Sequence, residues 1–308
     1  PKWADRDRFV LSAGHGSMLM YGINHLLGYA DMGMDQIRNF RQMGYRTAGH
    51  PEYGHADGIE TTTGPLGQGI SNAVGMALAE RMQNARYGGD LVDHWTYVIA
   101  GDGCLMEGIS HEAIDMAGHM GLGRMIVMWD DNSITIDGGT NLSTSTDQPA
   151  RFAASGWQVI SVDGHDKEAI AAALTEARTD ETRPTLIACK TIIGFGAPNK
   201  QGTSATHGAP LGPDEIAAAR EFLNWPHAPF TIPDDVYDAW HAVAARGKAA
   251  RSAWEVRAKQ SPASDEFFAA LGGTSRGGLK AAIAAYKKEL SADKPKVATR
   301  KASQMALE

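Results

Sequence analysis

Cysteine is almost missing from this chain. Cys104 and Cys189 are the only two in 308 residues, and they stand far apart without CxxC spacing. That excludes a disulfide framework and a cysteine-based zinc site. No apolar run is long enough to span a bilayer, and no segment has the build of a signal peptide, so the chain reads as soluble and cytoplasmic. Excess positive charge is lacking as well. The formal net charge of -7 argues against nucleic acid or an anionic membrane as a partner. It does not oppose a small anionic ligand, because a bound cation and helix termini set the local field. No internal repeat is visible. The hydrophobic fraction of 43% is ordinary for a globular protein and suffices for a sizeable core.

What is present is concentrated in residues 95–136, WTYVIAGDGCLMEGISHEAIDMAGHMGLGRMIVMWDDNSITI. A run of strand formers, Trp95 to Ala100, ends in Gly101-Asp102-Gly103. A helix is expected from about Glu107 to Met120, and a second strand, Met125 to Trp129, ends in Asp130-Asp131-Asn132. Two strands joined by a right-handed crossover lie side by side in a parallel sheet, which brings Asp102 and Asn132 to one rim. A carboxylate, an amide oxygen and nearby backbone carbonyls suit a hard divalent cation such as Mg²⁺ or Ca²⁺. The glycines allow backbone to approach an anion closely, and the following helix points its positive end at it. The pattern reads as a metal-bridged diphosphate site. A lone GDG triplet is weak; GDG at one strand end with an Asn closing the next strand is far stronger.

Elsewhere the first third reads as helices and glycine-bearing loops, with a helix over Ser71–Tyr87 after the turn Gly64-Pro65-Leu66-Gly67-Gln68-Gly69. Beyond the GDG segment, Trp157–Val162 reads as a strand, Asp166–Arg178 as a helix and Thr185–Thr191 as a buried strand. Such alternation predicts an α/β fold with a doubly wound parallel sheet. A glycine- and proline-rich loop runs from Ile193 to Pro213, and helices are expected over Val236–Lys259 and Leu279–Leu290. The expected division is a diphosphate- and metal-binding domain over 1–230, a helical extension and linker over 231–299, and the start of a further domain over 300–308. The chain opens on Pro1 without an initiating methionine, and its last residues look like a helix that stops early, so both ends look cut.

Several blocks in the right order carry a family resemblance across essentially the whole chain: DRFVLSAGHGSML, HPEYGHADGIETTTGPLGQG, GDGCLMEGISHE, DDNSITIDG, KTIIGFGAPNKQGT and THGAPLG. The chain resembles the diphosphate-binding part of the transketolases, enzymes with a thiamine diphosphate-binding fold. The resemblance implies that Asp102, Asn132 and the backbone carbonyl of Ile134 bind the divalent metal, with phosphate oxygens and water completing its shell. It implies that Gly103 offers its N–H to the diphosphate, and that Gly64, Pro65 and Leu66 line the cofactor near its rings. Glu107 and Glu112 resemble acidic residues that link paired cofactor sites across the family's dimer interface. His15, His50 and His207 match the family's active-site histidines, and all three lie in loops, where side chains reach ligands. His15 is implied to contact the diphosphate, His50 the sugar hydroxyls, and His207 the diphosphate and the reacting carbon's oxygens. His25, His94, His119, His227 and His241 read as structural. Arg300, in the Arg300-Lys301-Ala302-Ser303 segment, matches an arginine that binds the substrate's phosphate, or is a solvated linker residue.

The implied activity is that of a transferase of aldehyde or ketone residues in the pentose phosphate pathway. A two-carbon ketol unit passes from a ketose phosphate to an aldose phosphate, with the carbanion chemistry residing in the cofactor. Two departures stand out. The family's Gly-His-Pro-Gly stretch has no counterpart here, and the glutamate that activates the cofactor's aminopyrimidine belongs to a domain beyond Glu308. The resemblance therefore implies that these residues supply part of an active site completed in a homodimer of a longer chain, or by a separate pyrimidine-domain chain. Alternatives are a dihydroxyacetone synthase, a 1-deoxyxylulose-5-phosphate synthase, or a non-catalytic subunit of a split enzyme. The GPLGQG and HGAPLG blocks weigh against the second, and the retained Asp102, Gly103, Asn132 and loop histidines weigh against the third.

Overall fold

The computed structural model describes residues 2–273 and 278–307. Pro1 and Glu308 lie outside them, as do residues 274–277 of the expected helical extension. The described residues form five strands: β1 (Arg8–Leu11), β2 (Thr96–Gly101), β3 (Met125–Asp131), β4 (Gln158–Asp163) and β5 (Thr185–Lys190). They make one sheet in the order β1-β2-β3-β5-β4, every pair parallel. The expected doubly wound α/β architecture is therefore present. The helices are α1 (Ser17–Leu26), α2 (Met34–Arg38), α3 (Gln68–Tyr87), α4 (Asp102–Met106), α5 (Gly108–His119), α6 (Gln148–Ala154), α7 (Lys167–Ala177), α8 (Pro213–Phe222), α9 (Asp234–Gln260), α10 (Ser264–Leu271), α11 (Leu279–Asp293) and α12 (Thr299–Leu307). Among the described residues no helix is long and apolar enough to cross a membrane.

Two compact units result, Pro1–Ser261 and Pro262–Glu308. In the first, successive strand residues face opposite sides of the sheet. Val10, Val98, Val127 and Leu186 meet Ile70, Val74 and Ala77 of α3 and Ile114 and Ala117 of α5 in the largest core cluster. On the other face Ile126 and Ile187 pack with Ala173 and Ala177 of α7, and Leu11 with Met20 and Tyr21 of α1. Burying a Leu, Ile or Val side chain contributes about 1.5–3 kcal/mol, which is why β3 and β5 are nearly continuous apolar runs. Asp147 and Asp166 start α6 and α7 by accepting the Ala150 and Ala169 N–H groups, each at 3.0 Å. The long helix α9 lies on this unit through Tyr237, whose hydroxyl is 2.8 Å from His25 Nε2, and Trp254, whose Nε1 donates to the Leu91 carbonyl. In the second unit the Tyr286 hydroxyl of α11 donates to the Met305 carbonyl of α12.

One expectation needs correcting, and one helix was not expected. The first third contains a strand, β1, which pairs with β2 from Arg8↔Thr96 to Leu11↔Ile99; four residues opening on arginine are too few to show a period. The helix expected from about Glu107 to Met120 is α5, Gly108–His119, and the element that was not expected is α4 before it. Glu107 itself is extended (φ -70°, ψ 138°) and separates α4 from α5, so the helix that begins at the GDG turn is the five-residue α4.

Candidate functional site at the carboxyl ends of the strands

The rim is built where β2 and β3 end side by side, with Gly101 opposite Asp130. Asp102 is only 9% exposed. Its Oδ1 accepts from Trp129 Nε1 at 3.1 Å and its Oδ2 from the Ser133 N–H at 3.0 Å. Burial, then the charge of Asp131, pushes its carboxyl from 3.8 up to about 6. Asn132 follows β3. Its Oδ1 accepts the Ile134 N–H at 2.9 Å, and its Nδ2 donates to Asp130 Oδ2 at 3.0 Å. Asp102, Asn132 and Ile134 thus meet on one turn through Ser133. Among the described residues no three His, Cys, Asp or Glu side chains form a metal-type cluster. The set at this rim contains a single carboxylate, and its other oxygens come from an amide and a backbone carbonyl. It nonetheless fits a hard cation. Both Asp102 oxygens accept from neutral donors and keep a second lone pair, and a buried carboxylate pushed up by neighbouring negative charge is relieved by a positive ion.

The glycine turn 64–69 sits on this rim. A Cβ on Gly103 would lie 2.9 Å from Leu66 Cδ1, so Gly103 and Leu66 are in direct apposition. Gly67, next in that turn, packs against Glu107. Glu107 and Glu112 are both exposed, Glu107 at the start of α5 and Glu112 within it.

The three singled-out histidines converge. His15 and His207 stack at 5.0 Å between ring centroids and 24° between planes. His50 packs against Gly64, whose added Cβ would come 3.1 Å from His50 Cγ. Desolvation, then the neighbouring His207 and His50, lowers the His15 pKa below its usual 6.5, so at neutral pH its ring carries one donor and one acceptor nitrogen. His207 Nδ1 is buried without a hydrogen-bond partner among the described residues, and so is the Thr63 hydroxyl beside Gly14 and Gly64. Unpaired buried polar atoms are costly, and a polar ligand at this rim would satisfy both. Arg300 lies exposed in α12, in the second unit. The remaining histidines behave as sequence reasoning expected where the contacts are defined: His25 bonds Met32 O and Tyr237, and buried His94 pairs with Asp5 at 3.0 Å.

Sequence reasoning overlooked the end of β5. Lys190 Nζ donates to Ser133 Oγ at 2.7 Å and lies 3.1 Å from Asp131 Oδ1. The Thr191 hydroxyl donates to Asp130 Oδ1, and its N–H to the Asp131 carbonyl at 3.1 Å. The available signal was that TLIACK ends beside the strand carrying Asp130-Asp131-Asn132. A groove of about 630 Å³ lies elsewhere, on the sheet face between Phe9, Tyr97 and Met128 and helix α7. It brings together none of these groups.

Fold and rim define the chain as a parallel α/β domain that gathers these polar groups at the carboxyl ends of its strands, the usual place for a ligand in this architecture. Residues 1–271 match the family described as "Transketolase, thiamine diphosphate binding domain", and the chain belongs to that family. It is 71% identical over 307 residues to a transketolase of Cereibacter sphaeroides, covering 100% of this chain and 46% of that protein. It is 58% identical over 308 residues to one from Sinorhizobium medicae, covering 100% and 44%. The transketolase structure from Leishmania mexicana superimposes with a TM-score of 0.87 at 43% identity, over 91% of this chain and 43% of that one. A Pichia stipitis transketolase in complex with sedoheptulose-7-phosphate gives 0.81 at 42%, over 88% and 40%. The chain thus spans less than half the length of these relatives.

Proposed function

We propose that these residues form the diphosphate- and metal-binding half of a transketolase active site, serving transfer of a two-carbon ketol unit between sugar phosphates. The observation that carries the reading is the convergence of His15, His50 and His207 with Gly64–Leu66, Gly103 and Asp102 at one rim. The reading is supported by the family's printed thiamine diphosphate description and by the sugar phosphate in the Pichia stipitis relative.

Asp102, Asn132 and the Ile134 carbonyl would hold Mg²⁺ or Ca²⁺, and the Gly103 N–H and His15 would take the diphosphate. Gly64, Pro65 and Leu66 would flank the cofactor rings, and His50 would meet sugar hydroxyls. His207, with Nδ1 free of any partner among the described residues, would hold or pass a proton at the diphosphate and at the substrate's oxygens. Thiamine diphosphate, when bound, supplies the electron sink for the two-carbon fragment. Glu107, Glu112 and Arg300 belong to the same reading, the glutamates toward a second subunit of a homodimer and Arg300 toward the substrate phosphate. The setting is a cytoplasmic pentose phosphate pathway. The domain division is proposed as 1–230 for diphosphate and metal, 231–299 as helical extension, and 300–308 as the opening of a pyrimidine-binding part.

Titration of the chain with thiamine diphosphate plus Mg²⁺, beside its Asp102→Ala variant, tests the reading. Saturable, Mg²⁺-dependent binding by the chain and its loss in the variant are expected; identical behaviour of the two would sink the metal assignment. The 308 residues by themselves are expected to show no turnover, and ketol transfer by the purified chain alone would contradict the two-part site.

A further inference from the structure

We propose that Lys190 is a positioning residue for the cation-binding turn, holding Ser133 in the backbone conformation that presents Asp102, Asn132 and Ile134 to the ion. The inference rests on the reading of those three residues as cation ligands. Ser133 is one of few non-glycine residues with a left-handed backbone, at φ 61°, a conformation that residues with a Cβ avoid. The consequences of that conformation are specific. The Ser133 N–H reaches Asp102 Oδ2 at 3.0 Å, and the next N–H, of Ile134, reaches Asn132 Oδ1 at 2.9 Å. Both side chains are thus oriented by one residue in an unfavourable conformation.

The Thr140 N–H donates to the Ser133 carbonyl at 3.0 Å, and the end of β5 adds a cationic side-chain contact that helps hold Ser133 there. Lys190 pairs in register with Asp131. Its ammonium spans the turn, donating to Ser133 Oγ at 2.7 Å and Asp131 Oδ1 at 3.1 Å. Thr191 ties the preceding Asp130 through its hydroxyl and the Asp131 carbonyl through its N–H. The Lys190 side chain is 61% exposed, so it does not fill the core, and an exposed pair with one carboxylate would contribute little. What distinguishes it is the two-point grip on a turn whose conformation is disfavoured. Groups that orient ligands in this way commonly change metal affinity by about 10–100-fold.

Electrostatics alone predicts the reverse sign for the ion. Removing a nearby ammonium lessens repulsion of a cation, whereas removing a positioning group weakens its binding. The experiment is Mn²⁺ binding followed by electron paramagnetic resonance, with inorganic pyrophosphate present, on the whole chain and on Lys190→Met. Thermal melting without metal confirms that each protein is folded. The expected result is a loss of about tenfold or more in Mn²⁺ affinity for Lys190→Met with little change in melting. Adding Ser133→Gly in the same background should recover affinity, because glycine adopts positive φ without being held. Recovery is the decisive readout, since a lysine acting only through its charge on the ion or on pyrophosphate would not be replaced by a glycine at 133. Equal or tighter Mn²⁺ binding by Lys190→Met, or no recovery in the double variant, overturns the inference and leaves the cation site standing. No Mn²⁺ binding by the unsubstituted chain overturns both.

Discussion

Replacing Asp102 by asparagine should separate stability from metal binding. The carboxyl is pushed from 3.8 to about 6, so above that pH the folded protein carries a charge that its surroundings disfavour by about 3 kcal/mol, at 1.36 kcal/mol per tenfold. The shape of asparagine matches. Its amide oxygen can still accept Trp129 Nε1, while its amide nitrogen would face the Ser133 N–H and lose that bond, at a cost of about 1–3 kcal/mol. The lost bond is independent of pH; the relieved charge is not. Because the folded pKa lies above the unfolded one, the contribution of Asp102 is most favourable below 3.8 and is lost as pH rises through about 6. Relative to the unsubstituted protein, Asp102→Asn should therefore gain about 2 kcal/mol between pH 4.5 and pH 8. Urea unfolding in the presence of a chelator measures this difference directly. Mg²⁺-dependent pyrophosphate binding should be lost by the same variant at pH 8. A stability difference that is the same at both pH values would refute the argument that burial and Asp131 oppose the charge of Asp102.

Other consequences can be checked with simple assays. The depressed pKa of His15 means that its stability contribution is present above 6.5 and is lost as pH falls through the lowered value. An anion at the rim should raise that pKa, so near pH 6 His15 should take up protons when Mg²⁺-pyrophosphate binds, while Asp102 gives up its own to the cation. The difference in buffer-dependent heats between the unsubstituted chain and His15→Gln isolates the uptake, and no difference would contradict the placement of His15. A Cβ on Gly14 would lie 2.7 Å from both Gly64 N and Thr63 Oγ1, whereas one on Gly16 would come no closer than 4.0 Å to Leu11 Cδ2. Gly14→Ala should cost about 1–3 kcal/mol and weaken pyrophosphate binding, and Gly16→Ala should do far less, so equal melting temperatures would refute the close apposition of the two loops. Both cysteines are buried, and burial pushes the Cys189 thiol up to about 11. Neither should react with Ellman's reagent at pH 8 until the chain is unfolded, and fast labelling of the native protein would show one of them to be accessible.

Much of the fold was legible in the residues because its strands β3 and β5 are buried on both faces. MIVMW and TLIAC are apolar runs that suit a covered parallel sheet, and an aspartate caps the helix that follows β4. The strand β1 was not legible, since RFVL opens on an arginine and four residues do not establish a period. Nor was the short helix α4, which ends at the residue where α5 begins. Helical spacing is shared by both helices, and only backbone dihedrals at one residue separate them.

The chain's own sequence determined the chemical types at the rim: a carboxylate after one strand, an amide after the next, glycines that admit an anion, and histidines confined to loops. Those are local properties, written in residue identity and spacing. The folded chain decided which of them meet. His15 and His207 are distant in sequence and stack at 5.0 Å, and Lys190 reaches Ser133 only because β5 lies beside β3. Strand order is set by how helices cover both faces of the sheet, a global packing problem that no local pattern encodes. The same packing that buries Asp102 against Trp129 and beside Asp131 raises its pKa, a change that no local pattern around the aspartate encodes.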